Sequence, residues 1–216
     1  MKRKPGIGNR ESGFTLIEIL VVIVIIGILS ALTLVGVLAA ISQSRVSATQ
    51  TLIDQLRSAC ENYRTRWGDY PPSTLADPVI RARVPNDTNN GAEALTACLS
   101  SQNKGGILWQ PSDAEAYGNM DDDKADTNVT NWYFGDNQLR EILDMWRRPL
   151  TYMHHKDYAR ASAPVAKYVF TAKGEEFTIK PARTEATKTY ANPDKFQIMS
   201  AGKDGKPGTN DDVVGW

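Results

Sequence analysis

Cysteine is scarce in this chain: two among 216 residues, Cys60 and Cys98. Their spacing fits no zinc motif, which excludes a metal centre built on thiolates. Basic residues are unevenly placed. Lys2, Arg3, Lys4 and Arg10 crowd the first ten positions with Glu11 alone to offset them, and the remainder is mildly acidic although the formal net charge is +0. No basic run with interleaved aromatics follows, so nothing tracks a nucleic-acid backbone. Also missing are a phosphate-cradling glycine loop, a Ser-His-Asp arrangement and a paired acid and base in matched surroundings, so nothing marks an enzyme. The five tryptophans and eight tyrosines are accounted for by packing.

What the chain has instead is one long oily run. Residues 14–41 read FTLIEILVVIVIIGILSALTLVGVLAAI, more than the roughly 20 residues a helix needs to cross a bilayer. A secretory signal peptide has a shorter apolar region with its small-residue cleavage site behind it. Here the small residue, Gly13, stands in front. The basic segment ahead of the run predicts a cytoplasmic N-terminal end, with the rest of the chain across the membrane. One acid interrupts the run. A carboxylate in an apolar span is costly and needs a partner, and no Lys, Arg or His lies near Glu18 within the run. Cleavage between Gly13 and Phe14 would create a partner, because an α-amino group is largely protonated at neutral pH. The amine of a neighbouring helix would reach Glu18 with a modest axial offset. The acid would then set assembly register, as a buried polar residue does in a coiled coil. The residues alone leave a second reading open, a snorkelling or protonated Glu near the interface.

Gly13-Phe14-Thr15-Leu16-Ile17-Glu18 resembles the class III signal of type IV prepilins and pseudopilins. The resemblance implies that a membrane aspartyl peptidase cuts after Gly13, that Phe14 is then N-methylated, and that Glu18 guides packing in a filament. Many family members carry a proline about twenty residues into the mature chain, which loosens the helix. This chain has Leu34, Val35 and Gly36 there. Bending would fall to Gly27 and Gly36, each weakening a helix by about 1 kcal/mol relative to alanine.

No breaker ends the run. Val46, Leu52, Ile53, Leu56, Ala59, Cys60 and Tyr63 recur at three- and four-residue steps, which predicts one helix continuing to about Trp67 with an apolar stripe facing a head domain. At about 1.5 Å per residue that helix would be about 80 Å long. Gly68-Asp69-Tyr70-Pro71-Pro72-Ser73 stops it, since glycine suits a left-handed cap and proline cannot continue a helix. A similar Gly-x-Tyr-Pro ending is typical of major pseudopilins. The expected organisation is a leader over 1–13, a transmembrane half-helix over 14–41, an amphipathic half over 42–67 and a periplasmic globular head over 68–216.

The middle of the head is poorly patterned. Short helices are expected over 92–99 and 136–144, with turns at 86–91 and 102–106. Asp121, Asp122, Asp123 and Asp126 form an acidic cluster that lacks the glycine and terminal glutamate of an EF-hand and reads as a solvated loop, with a second cation site as the alternative. Segments 74–143 and 158–194 are longer than in the usual major pseudopilin. Residues 150–154, 167–171, 176–180 and 195–200 carry β-branched and aromatic residues, predicting a small antiparallel sheet packed on the helix. The stretch from Asp144 to Tyr152, with its Trp, Pro and Tyr, has a counterpart in major pseudopilins. His154 and His155 would point to opposite faces of a strand and read as structural. A location outside the cytoplasm would permit a disulfide between Cys60 and Cys98, whereas a free Cys60 on a helix would pack as a small hydrophobe.

The tail, SAGKDGKPGTNDDVVGW over 200–216, brackets a Gly- and Pro-rich turn with Asp204, Asp211 and Asp212. Carboxylates gathered by a tight loop repel one another, and Ca²⁺, which takes six to eight oxygens, would relieve them. A polar hairpin turn without an ion fits the composition as well. The stretch resembles the C-terminal calcium loop of the major pseudopilin of type II secretion. That resemblance implies side-chain oxygens from Asp204, Asp211 and Asp212 and main-chain carbonyls from Ala201 and Lys206.

The expectation is an α+β, pilin-like chain: a long N-terminal helix packed on a small antiparallel C-terminal sheet. The resemblance implies a non-enzymatic structural subunit of the periplasmic pseudopilus of a type II secretion system, anchored in the bacterial inner membrane. Its partners would be further copies, other pseudopilins, prepilin peptidase and the inner-membrane assembly platform, with Ca²⁺ as the ion. The alternative is a type IV pilin or minor tip pilin with an adhesive or DNA-uptake role.

Overall fold

A proline-free supply of helix formers carries the first element, α1, from Leu16 to Trp67. The structure, a computed structural model, describes residues 14–76, 86–100, 108–111, 114–125, 137–160, 167–171 and 174–216. The leader, Asp126 and the turn at 102–106 lie outside the described residues. The chain divides at Gln43/Ser44 into two compact units.

In the first unit α1 presents apolar side chains to its surroundings all the way round, as in Ile19, Val22, Ile26, Leu29 and Leu34. Among the described residues it is the one helix long and apolar enough to cross a membrane. Its Thr33 side chain is satisfied internally. The Thr33 hydroxyl donates to the carbonyls of Leu29 (3.1 Å) and Ser30 (3.0 Å), which suits a medium with no water to bond.

In the second unit the stripe of α1 does what its spacing predicts. Leu52, Ile53, Leu56, Ala59, Cys60 and Tyr63 are buried in one core. Gly68 ends the helix with φ +83°, its amide donating to the Arg64 carbonyl at 2.7 Å. That left-handed turn is the helix stop glycine tolerates best. Against this face packs a three-stranded antiparallel sheet in the order β3 (Thr151–His154), β6 (Phe196–Ser200), β7 (Val213–Val214). Tyr152 pairs with Ile198 and Met199 with Val214, which sets the register. A second helix, α2 (Asn90–Ser100), is buried along its whole length. Its small residues Gly91, Ala92, Ala94 and Ala97 allow the close approach.

Several expectations need correction. Among the described residues the β-structure is three small sheets, all antiparallel, and not one. Besides the sheet on β6, β1 (Tyr117–Gly118) pairs with β2 (Glu141–Ile142), and β4 (Lys167–Val169) with β5 (Glu176–Thr178). Pairing is short because loops interrupt it, and a separate small core of Tyr168, Phe170, Ile179, Met199 and Ala201 forms beside the main one. The helix expected over 136–144 is absent from its described residues, 137–144: Gln138 bridges to Lys124, and Glu141–Ile142 is strand β2. So short a segment gains little from helix formation alone, and the buried sheet contact wins. The two histidines do not face apart, because β3 ends at His154 and a 3-10 turn, His155–Arg160, begins. Their rings stack at 4.4 Å.

His154 is structural. The Lys156 amide donates to its Nδ1 (3.1 Å), which leaves Nε2 to face Asp69 Oδ1 at 3.1 Å. Burial holds its pKa below the usual imidazole range. Asp69 also pairs with Lys156. Partial burial works against ionisation of Asp69, but Lys156, the Tyr70 amide and His154 outweigh it and bring its pKa to about 2. A depressed carboxylate pKa contributes stability that is present above the unfolded value of 3.8 and lost as pH falls through about 2. Asp69→Asn is therefore expected to destabilise the protein at neutral pH, with the difference fading in acid. The side chains of Asp69 and Lys156 are 44 % and 65 % exposed, so solvent screening limits the effect to at most about 1 kcal/mol. Urea unfolding across the acid range measures it.

Both cysteines are buried in the main core as thiols. Burial foremost, with Cys98 nearby, pushes the Cys60 thiol well above its ordinary value, so it is chemically quiet.

Candidate functional site

The start of α1 is organised by Thr15 and Glu18. Thr15 caps the helix. The Glu18 amide donates to Thr15 Oγ1 at 3.3 Å, and Glu18 Oε2 accepts from the Thr15 amide and hydroxyl, each at 2.7 Å. This is a reciprocal capping box, with Glu at the third helical position. Glu18 thus finds hydrogen-bond partners in its own chain, which the reading of a carboxylate needing an external partner did not foresee. The donors are neutral, so they satisfy its lone pairs without cancelling its charge. Phe14 lies just before the cap and is highly exposed. Gly13 lies outside the described residues.

The C-terminal loop brings Asp204, Asp211 and Asp212 into one turn. Its glycines, among them Gly202 at φ +60°, take left-handed backbone. A Cβ on Gly202 would lie 2.2 Å from the Asp211 carbonyl oxygen, so the loop closes only around glycine. The carboxylates cap loop amides. Asp204 Oδ1 accepts from Lys206 N (2.7 Å), Asp211 Oδ2 from Asp204 N (2.9 Å) and Asp212 Oδ2 from Gly208 N (2.7 Å). The Ala201 carbonyl accepts from Gly205 N at 3.1 Å and the Lys206 carbonyl from the Thr209 hydroxyl at 3.2 Å. The Thr209 hydroxyl also bonds Asp211 and holds its pKa down. Asp212 is pushed up, first by burial and further by the charges of Asp211 and Asp204. Asp212 Oδ1 is buried with no hydrogen-bond partner among the described residues. Every donor in the set is an oxygen, so the residues fit a hard cation.

The loop is anchored to the turn before β3. Asp144 Oδ1 accepts from the amides of Trp146 (2.8 Å) and Arg148 (3.0 Å), and Ser200 Oγ donates to Asp144 Oδ2 at 2.5 Å. Arg148 Nη1 donates to the Gly202 carbonyl. The Asp-Met-Trp-Arg-Arg-Pro stretch is thus the mount of the C-terminal loop.

The acidic cluster of the middle segment is not a solvated loop. Asp122 is exposed, but Asp121 is half-buried and Asp123 is 6 % exposed. Both meet Glu93 of α2, itself 1 % exposed, and Glu141 of β2 is fully buried nearby. Glu93 and Glu141 were not legible as site residues. They sit among apolar neighbours, 28 and 18 residues from Asp121 and Asp123 respectively at the nearest, and only folding joins them.

The family described as the prokaryotic N-terminal methylation motif matches residues 8–34. No curated protein and no solved structure gives a significant match. The matched segment spans the expected cut, Phe14, the capping box and the first turns of α1. It is a prepilin-type signal and supports a type IV pilin-like chain, a class of structural proteins. The motif implies processing by prepilin peptidase and filament assembly, and with the apolar helix it fits a membrane-anchored subunit.

Proposed function

We propose that this chain is a structural subunit of the periplasmic pseudopilus of a type II secretion system. It is cut after Gly13, methylated on Phe14 and packed through the apolar half of α1, with Glu18 neutralised by the new amine of a neighbouring copy. Its partners are further copies, other pseudopilins, the peptidase and the inner-membrane assembly platform. One observation carries the reading: the methylation motif is in register with the helix, Phe14 directly before the cap and Glu18 in the first turn. Mass spectrometry of the native N-terminus tests it. The expected mature chain begins at N-methylated Phe14, and a chain that keeps Met1 defeats the reading. Recovery in sheared surface filaments would favour a type IV pilin or minor tip pilin instead.

The same reading assigns Ca²⁺ to the C-terminal loop, through side-chain oxygens of Asp204, Asp211 and Asp212 and the carbonyls of Ala201 and Lys206. Support comes from the bare Asp212 Oδ1 and the mutual repulsion of the three acids. The ion would neutralise them and clamp the tail against β6 and β7. Asp211→Ala with Asp212→Ala is expected to bind one Ca²⁺ fewer per chain than the parent and to melt at a lower temperature. Equal ion content in the two proteins would remove this site.

A further inference from the structure

A different acidic group is buried where a loop should have been wet. Among the described residues, one carboxylate oxygen from each of Glu93, Asp121 and Asp123 lies within 4.8 Å of the others. The loop that presents them is fixed in place. The Asn86 side-chain amide donates to Asp121 Oδ2 and to Asp123 Oδ2, each at 3.1 Å. Asn119 brackets Asp123 from both sides, donating to its carbonyl (2.7 Å) and accepting from its amide (3.1 Å). One amide therefore holds both Oδ2 atoms. The two remaining oxygens, Asp121 Oδ1 and Asp123 Oδ1, are buried with no hydrogen-bond partner among the described residues, and Asp123 as a whole is 6 % exposed.

A buried carboxylate oxygen with no donor is costly to keep. Two carboxyl groups facing one another need either a shared proton or a cation between them. The charges that act most strongly on Glu93 are those of Asp123, Glu141 and Asp121, all negative. Glu141 is already engaged, accepting from Asn89 Nδ2 (2.8 Å) and the Met120 amide (3.2 Å). Acids gathered in this way repel one another, and a cation between them relieves the repulsion.

We propose that Glu93, Asp121 and Asp123 form a second cation site, separate from the C-terminal loop, that takes Ca²⁺ inside the head. Carboxylate oxygens are hard ligands, which excludes thiophilic metals as the natural occupant. A site made of several protein carboxylates suits Ca²⁺, which accepts six to eight oxygens in flexible geometry, better than Mg²⁺, which dehydrates reluctantly and is usually held through only one or two carboxylates. Bound there, it would tie the 119–125 loop to α2 and so fasten the β1–β2 hairpin, whose strands are only two residues long, to the buried helix.

The test uses the full chain in detergent, stripped with EDTA and dialysed against Ca²⁺, in the Asp211→Ala, Asp212→Ala background so that the C-terminal loop is silent. One Ca²⁺ per chain should remain in that background and raise its melting temperature, and Mg²⁺ at the same concentration should not replace it. Adding Glu93→Gln and Asp121→Asn should abolish both the bound ion and the Ca²⁺-dependent rise. No ion bound in the loop-variant background overturns the proposal and leaves a shared proton as the account of the cluster. Retention of the ion after Glu93→Gln and Asp121→Asn overturns it too. The first measurement keeps the cluster intact, so it does not depend on those two variants folding.

Discussion

Subunits carrying Glu18→Gln are expected to be cut and methylated like the parent and to fail to enter a filament. The argument separates two jobs that one side chain performs. Within its own chain, Glu18 closes the capping box with Thr15, and glutamine at that position closes it as well. Between subunits, the proposed job is to present a negative charge to a protonated amine, which glutamine cannot do. In an apolar medium an unpaired charge is heavily disfavoured, so the loss falls on the packed state and not on the free subunit. Glu18→Ala removes both functions and serves as the comparison. Complementation of a deletion strain, with cross-linking to score filament incorporation, should give background levels for both variants. Normal assembly of Glu18→Gln together with failure of Glu18→Ala would show that the cap matters and the charge does not.

Gly91→Ala should be among the most damaging single changes in the head. In most helices such a change would stabilise by about 1 kcal/mol. Here the new methyl would lie 2.3 Å from the Tyr152 carbonyl oxygen and 2.3 Å from the Tyr168 hydroxyl. The first belongs to the backbone of β3, paired with Ile198 of β6, and cannot swing aside. The second is the tyrosine that donates to the Tyr152 carbonyl (3.0 Å) and accepts from the Tyr152 amide (2.9 Å). Either α2 moves away from β3 or these hydrogen bonds break. Overpacking costs about 1–3 kcal/mol and each lost buried bond about 1 kcal/mol, which outweighs the helix gain. A net loss of about 3 kcal/mol corresponds to a fall of about 6–12 °C in melting temperature for a chain of this size. A melting temperature at or above that of the parent would mean that α2 does not approach β3 this closely.

The long helix was readable because its cause is local. A proline-free oily run, a three-and-four stripe from Leu52 to Tyr63 and a glycine stop at Gly68 each act on a few neighbouring residues. The strands around Tyr152, Tyr168, Phe177 and Ile198 were readable for the same reason, although their pairing into three sheets was not. Residues 137–144 show the limit. Their apolar positions allow a helix or a strand at that length, and the choice belonged to the partner strand at Tyr117–Gly118. At the candidate sites the contrast repeats. Asp204, Asp211 and Asp212 lie within nine residues of chain and could be seen together. Glu93 and Glu141 look like ordinary surface glutamates until α2 and β2 are buried.

By itself the sequence determined the processing motif, the membrane-competent helix and the seam by which that helix holds a head, because hydrophobic periodicity and capping are short-range properties. Only the tertiary structure decided that Cys60 and Cys98 are buried in one core, that Glu18 closes its own helix cap, and that Asp121 and Asp123 turn inward to meet Glu93. Those outcomes depend on which distant segments exclude water together, and burial of that kind is a property of the assembled core that no single stretch of chain encodes.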